Sequence, residues 1–429
     1  MAMSVAMMGL LFALLALGVP VGFSMGTAGA VGLFVTGNWD VLLGVLRTSP
    51  LSTVGSYELI TIPMFLLMAE FVLLSGIADE LFVAAAAWVG RYRGGLGMAT
   101  AVTGAAFGAL CGTSTASAAT LSSTSLPAMI RQGYKPDLAA GVVAISGTLA
   151  MLVPPSVTLI IFGLLAQANI GQLLVGGIIP CALITLTIML TVAFLAWRDP
   201  KAAPASPKVG LRERIRLLRV VGPMLLLMGA VTGAIYSGVA TPTEASAMGA
   251  TGAFLLTIWK RKASPALIRQ ATVRAARGSC MIITILLGAQ LFGYFFTLTH
   301  VTQDLIEWVG HLALNRWVIV VAILCVYIVL GAFMDQIAIL VLTVPVVIPI
   351  IVALGFSPIW FGVIKIVTAE VGMITPPIGL NCFIVSRYAN RPVAEVFKGT
   401  WPHFIAHLFA IAVLLCFPSL ILWLPGHMQ

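Results

Sequence analysis

Charge is scarce in this sequence: Lys, Arg, Asp and Glu together make up 9% of the 429 residues, against 60% hydrophobic. A soluble fold cannot hide that much apolar surface, whereas a bilayer core accepts it directly. Histidine is also rare. The five histidines (300, 311, 403, 407, 427) form no ligand cluster; His403 and His407 share one helix face, but no carboxylate is expected to accompany them nearby. The six cysteines are far apart and include no CxxC pair, which excludes a disulfide framework and a zinc site. No GxxxxGK[ST] stretch is present, which excludes a P-loop pump. No Ser/His or paired-Asp constellation lies within the apolar runs, which excludes an intramembrane protease. The chain reads as no enzyme, with no cofactor and no transition metal. The net charge of +9 sits in short loops between apolar runs, a pattern of membrane orientation rather than nucleic-acid binding.

What is present is an all-α polytopic pattern. About ten segments read as transmembrane helices, at 4–22, 23–37, 57–76, 137–168, 176–196, 220–238, 243–259, 278–299, 358–387 and 400–424. Two more, 96–131 and 317–354, are too long for one span and carry an interruption near the middle. Arms of about 16 residues give roughly 24 Å of helix, short of a core of about 30 Å. They therefore predict re-entrant hairpins. All but Arg47, Arg316 and Lys365 of the 23 Lys and Arg fall at 91–93, 131–135, 198–219, 260–277 and 387–398. The positive-inside rule makes those segments cytoplasmic and both termini periplasmic, in a multi-pass inner-membrane protein. The first apolar stretch lacks a basic leader and reads as a retained span. The basic segments 198–220 and 260–278 predict helices lying on the anionic leaflet; the proline-rich start of the first reads equally as a solvated loop.

The two hairpins belong to a repeat. Residues 126–156 align with 348–378 at a constant offset of 222, matching Pro127 with Pro349, Gly133 with Gly355, Pro136 with Pro358, and Pro154-Pro155 with Pro376-Pro377. Arg91, Arg93, Arg131 and Lys135 flank the first hairpin's base, which therefore opens to the cytoplasm; the second has only Arg316, with Asp304 and Glu307 upstream, and opens to the periplasm. The repeats are thus inverted in topology, as in secondary transporters.

Each repeat carries a hairpin tip and a helix broken by a proline pair. The first set is Gly112 to Ser117 with Leu152 to Ser156; the second is Gly331 to Gln336 with Gly372 to Asn381. Consecutive prolines force the helix open, and the freed carbonyls suit a cation or a water-filled cavity rather than lipid. The hydroxyls of Thr113, Ser114, Thr115, Ser117 and Ser156 add neutral oxygens of the kind a hard cation such as sodium takes; the alternative is that small residues here let helices approach. Asp335 ligates a cation, caps the following half-helix, or does both. Half-helix N-termini would point positive dipole ends at a small anionic substrate. Glu244 reads as a capping residue and Glu70 as structural, while Lys365 and Glu370 each have the choice of facing the cavity.

At these residues the chain resembles a known family, the large membrane subunit of the tripartite ATP-independent periplasmic (TRAP) transporters. The carrying stretches are IPMFLLMAEFVLLSGIADEL (62–81), GALCGTSTASAATLSSTSLPAMIRQGY (108–134), SGTLAMLVPPSVTLIIFG (146–163), IYSGVATPTEASAMGA (235–250), GAFMDQIAILVLTVPVVIP (331–349) and GVIKIVTAEVGMITPPIGLNCFI (362–384). The resemblance implies import of a small organic acid by an elevator mechanism. It implies sodium sites at Gly112, Ser114 and Val153, and at Gly331, Asp335, Gly372 and Thr375. Thr113, Thr115, Ser117, Pro155, Ser156, Pro377 and Asn381 are then expected to face the substrate. It also implies two partners, a small four-helix membrane subunit and a periplasmic substrate-binding protein; the chain is too short to hold both membrane subunits. The tip is Cys111-Gly112-Thr113-Ser114 where family members commonly carry Ser-Gly-Ser-Ser, and Lys365 is unusual for the family. The expected division is scaffold at 1–95, 176–316 and 391–429, and transport core at 96–175 and 317–390. The alternative reading is a stand-alone sodium- or proton-coupled carboxylate transporter built on the same core.

Overall fold

Glycine and proline punctuate the two halves of the chain at matching positions, and the helices follow them. The computed structural model describes residues 2–311 and 314–428. The first half comprises α1 (Ala2–Ala16), α2 (Val21–Val54), α3 (Thr61–Ser75), α4 (Ile77–Val89), α5 (Gly95–Cys111), α6 (Ser114–Arg131), α7 (Pro136–Thr148), α8 (Val157–Ala166), α9 (Ile170–Gly176) and α10 (Ile178–Arg198). The second comprises α11 (Leu211–Tyr236), α12 (Pro242–Trp259), α13 (Pro265–Leu298), α14 (Val301–His311), α15 (Arg316–Phe333), α16 (Gln336–Ala353), α17 (Pro358–Gly372), α18 (Leu380–Ala389), α19 (Val393–Cys416) and α20 (Ser419–Leu422). No strand occurs among the described residues. Moved by 222 positions, α6 and α7 start where α16 and α17 start, and α4, α5 and α8 agree with α14, α15 and α18 within two residues. The repeat therefore extends well beyond 126–156. It reaches α2, whose helix is interrupted at Asn38 (φ 64°, ψ −178°) opposite Lys260, where α12 ends. The span expected at 23–37 is only the first part of α2, which continues past that kink to Val54.

The hairpins return to the side they enter. Two residues join α5 to α6 and two join α15 to α16. At the first base, the Leu96 amide donates to the Tyr134 hydroxyl at 3.1 Å, tying the start of α5 to the end of α6. At the second base, the Trp317 ring meets Phe356 edge-on at 4.8 Å, and Arg316 lies 5.2 Å over the same ring. Gly133 (φ 87°) and Gly355 (φ 80°) make the turn out of each hairpin in a backbone conformation that side chains resist. Pro136 and Pro358 then open α7 and α17, where a missing N–H costs nothing.

Two expectations about the basic segments change. The basic stretches are not separate surface helices: α11 and α13 run unbroken into their spans. At 1.5 Å per residue the 34 residues of α13 reach about 51 Å, so its basic start projects beyond the apolar core. Nor is the proline-rich linker a solvated loop. It lies across the base of the first hairpin, where the Gly94 and Lys135 amides donate to the carbonyls of Ala203 (3.0 Å) and Ala202 (2.9 Å). The Ser206 amide donates to the Gly90 carbonyl at 2.9 Å, and the Gln132 side-chain amide to that of Ala205 at 3.0 Å. Lys135 and Asp199 add an ion pair at 2.6 Å, which holds the Asp199 carboxyl below its ordinary range and raises the lysine.

α10 and α19, the last long helix of each half, pack along α7. The α7–α19 seam closes to backbone contact: a Cβ on Gly399 would lie 1.8 Å from the Asp137 carbonyl oxygen, and one on Gly141 2.2 Å from the carbonyl carbon of Gly399. Gly399→Ala is therefore expected to destabilise the protein by about 1–3 kcal/mol, the usual cost of overpacking. Gly233→Ala, in α11 with nothing within 4 Å of its Cβ position, should not. Thermal unfolding in detergent compares the two; equal unfolding temperatures would refute the seam.

Candidate functional site

Each tip rests on its own break. In the first repeat α5 ends in Gly112 (φ 63°), buried, where a Cβ would stand 2.7 Å from Val157 Cγ2 at the start of α8. One turn earlier, a Cβ on Gly108 would lie 2.6 Å from the Cα of Ala150. In the second repeat, a Cβ on Gly331 would lie 2.6 Å from the Ala369 carbonyl oxygen, and one on Gly372 2.6 Å from the Cα of Gly331. The Gly379 amide donates across to the Ala332 carbonyl at 3.2 Å, stitching the second break to the second tip.

The two repeats then meet. Ser114 Oγ donates to Met373 Sδ at 3.5 Å, joining the first tip to the second break. Asn381 Nδ2 donates to the Ala144 carbonyl at 3.3 Å, joining the start of α18 to α7, while its backbone amide donates to the Met373 carbonyl at 3.2 Å. α6, α8, α16 and α18 all begin at a tip or a break, so their N-termini lie at this meeting point. Unshared N–H groups and the helix dipole favour negative charge there.

Several expected residues already have a use. Asp335 caps α16, its Oδ2 accepting from the Ile337 amide at 3.1 Å; one carboxylate oxygen is left over. Ser156 caps α8, accepting from the Leu159 amide at 3.2 Å and donating to the Met151 carbonyl. Thr375 donates back to the Val371 carbonyl at 2.6 Å, which leaves its lone pairs. Thr113 and Thr115 are half-buried, Pro155 is buried and Pro377 is exposed. Ser117 Oγ and Asn381 Oδ1 are buried with no hydrogen-bond partner. Unspent neutral oxygens of this kind suit a hard cation or a polar solute. Val153 stands apart: with Pro154 it lines an apolar cavity of about 540 Å³ together with Cys181 and Met228.

Sequence reading missed other buried polar groups. Both amide atoms of Gln336 and the hydroxyl of Ser146 are buried without a partner. Contrary to expectation, a carboxylate does accompany His403 and His407: Glu370 Oε2 lies 3.9 Å from His407 Nε2, with all three side chains fully buried. Glu370 comes from α17 and the histidines from α19, so only tertiary packing brings them together. Lys365 is buried too, its ammonium 4.8 Å over the Tyr327 ring. Glu244 does cap α12, in a box with Thr241, and Glu70 pairs with Arg274 at 3.8 Å. A separate cleft of about 1080 Å³, lined by Thr53, Glu58, Asn169, Thr243 and Gln290 among others, includes none of the expected site residues.

Comparison with known proteins places the chain among transporters of this fold. The family described as "Tripartite ATP-independent periplasmic transporter, DctM component" matches residues 8–420. The "C4-dicarboxylate TRAP transporter large permease protein DctM" of Pseudomonas aeruginosa is 33% identical, over 86% of each chain. The "Sialic acid TRAP transporter large permease protein SiaM" of Vibrio cholerae is 28% identical over 97% of this chain and 96% of its own length. Among solved structures, the YdaH transporter of Alcanivorax borkumensis shares the fold with a TM-score of 0.68, at 14% identity over 88% of this chain and 89% of that one.

The contact between repeats gives a direct test. With all native cysteines replaced, Ser114→Cys with Met373→Cys should be joined by a short bifunctional thiol reagent, read by mass spectrometry of the digested chain. Failure to cross-link, with both thiols shown to be reactive, would separate the first tip from the second break.

Proposed function

The chain belongs to the DctM-component family of tripartite ATP-independent periplasmic transporters, and from that premise we propose that it is the permease of a sodium-coupled importer of a small organic acid. A dicarboxylate, a sialic acid or a related carboxylate fits this reading, since named relatives carry C4-dicarboxylates and sialic acid. In this proposal a periplasmic binding protein delivers the substrate, a small four-helix subunit completes the membrane complex, and the chain sits in the bacterial inner membrane with both termini periplasmic.

The observation that carries the reading is the contact between the repeats, where Ser114 of the first tip meets Met373 of the second break and Asn381, after that break, meets Ala144 of α7. Sodium would be held by carbonyls and hydroxyls around Gly112 and Ser114, and around Gly331, Asp335, Gly372 and Thr375. Opening of the break at Val153 would supply a further carbonyl. The substrate would lie beside Thr113, Thr115, Ser117 and Asn381, near the helix N-termini, with the backbone at Pro155, Ser156 and Pro377 forming its walls. A cation there offsets the charge of a carboxylate in a medium that screens poorly.

Transport follows if the two hairpins and broken helices (96–175 and 317–390) move as a body against the scaffold. The packing of α7 argues for moving α19 with them, and α10, which packs on α5 and α19, goes with it, rather than leaving 176–198 and 391–416 in the scaffold. A seam at backbone contact cannot slide without parting.

The test is sodium-gradient uptake in proteoliposomes that hold both membrane subunits, with the binding protein outside. Asp335→Ala and Thr375→Val should each weaken apparent sodium affinity about tenfold, roughly 1.4 kcal/mol. Unchanged sodium activation in both variants would remove them from the site. Uptake by this chain alone, without a binding protein, would replace the proposal with a stand-alone carboxylate transporter.

A further inference from the structure

The cytoplasmic ends of α11 and α12 enclose a groove of about 1130 Å³. Arg212, Arg216 and Arg219 line it from α11. Their spacings of four and three place them on one helix face. Trp259 and Lys260 close it from the end of α12. Two of these cations have acidic neighbours: Glu213 lies 3.6 Å from Arg216, and Lys260 pairs with Glu80 of α4. Arg212 and Arg219 take part in no ion pair among the described residues.

The walls are not only cationic. Ile215, 43% exposed, and Trp259, 66% exposed, stand in the same groove. A free inorganic anion would use the guanidiniums and leave that carbon in water. An amphiphile uses both: its phosphate accepts from planar guanidinium forks, and its acyl carbon covers Ile215 and the indole. The groove lies on the face where the chain's basic residues collect, facing an anionic leaflet.

We propose that this groove binds an anionic phospholipid of the cytoplasmic leaflet, with the phosphodiester held by Arg212, Arg216 and Arg219. Such a lipid fixes the depth of α11 and α12 in the membrane. The site stands independently of the transported substrate and of sodium.

The test uses the purified full chain in detergent, with phosphatidylglycerol added in mixed micelles. The unfolding temperature should rise saturably with phosphatidylglycerol, and not with phosphatidylcholine or with inorganic phosphate at the same concentration. Arg212→Gln with Arg219→Gln should raise the half-saturating lipid concentration about tenfold or more, while Lys208→Gln, outside the groove, should leave it unchanged. Should the glutamine pair fail to fold, Arg212→Lys with Arg219→Lys carries the test: it keeps the charge but loses the forks, and half-saturation should rise severalfold. An equal shift with phosphatidylcholine, an equal shift with inorganic phosphate, or undiminished affinity in the variant that folds would each overturn the proposal.

Discussion

A backbone opened in the middle of a bilayer has to find its hydrogen bonds inside the protein, because lipid offers none and each unmet group costs several kcal/mol. This chain opens two helices with proline pairs, and the rest of its core answers to that requirement. The residues after each break show how it is met. Ser156 receives the Leu159 amide. Gly379 donates to Ala332 in the neighbouring tip, and Asn381 donates to Met373 through its backbone and to Ala144 through its side chain. The tips supply acceptors that a single broken helix would lack. What is left unmet, notably Ser117 Oγ, Asn381 Oδ1 and the Gln336 amide, lies beside the same tips and breaks. The unspent polar atoms and the solution to the backbone problem are then one arrangement.

Glycine makes that arrangement close enough to work. Gly331 and Gly372 bring α15 and α17 together so tightly that a single added carbon would overlap backbone; Gly108 does the same for α5 against the end of α7. At such distances the polar backbone of one segment can serve another. Because the unit occurs twice in opposite orientation, the two hairpins have their bases on opposite faces, while the first tip meets the second break between them. Inverted pairs of this kind recur in secondary transporters.

Much of this was legible in the sequence because the punctuating residues are local. Gly133 and Gly355 are required by turns with positive φ, and Pro136 and Pro358 by helix starts, so an offset of 222 could be read without any contact being known. The capping reading of Asp335 was legible, and the cap is made. What stayed hidden depends on distant partners. Nothing local in the Pro-rich linker reveals that its carbonyls accept from Gly94 and Lys135. Glu370 and His407 are far apart in the chain and meet only because α17 and α19 share a face of the bundle. The kink at Asn38 lacks a proline, so the span through it was read short.

The buried charges bear on what can move. Every residue of α17 from Trp360 to Gly372 is buried, and so is every residue of α7 from Leu138 to Thr148. These two helices form the axis of the bundle and nowhere face lipid. Lys365, Glu370 and their neighbours therefore sit in surroundings made by protein, where a fixed dipole or ring can be aimed at them, as Tyr327 is at Lys365. Hydrocarbon would offer no such partner. Drawing α7 or α17 out of its jacket would expose these groups to acyl chains, where a charge without a partner is costly. Hairpins, α10 and α19 form that jacket, and the outside of the bundle they complete lies against α3, α4, α11 and α13.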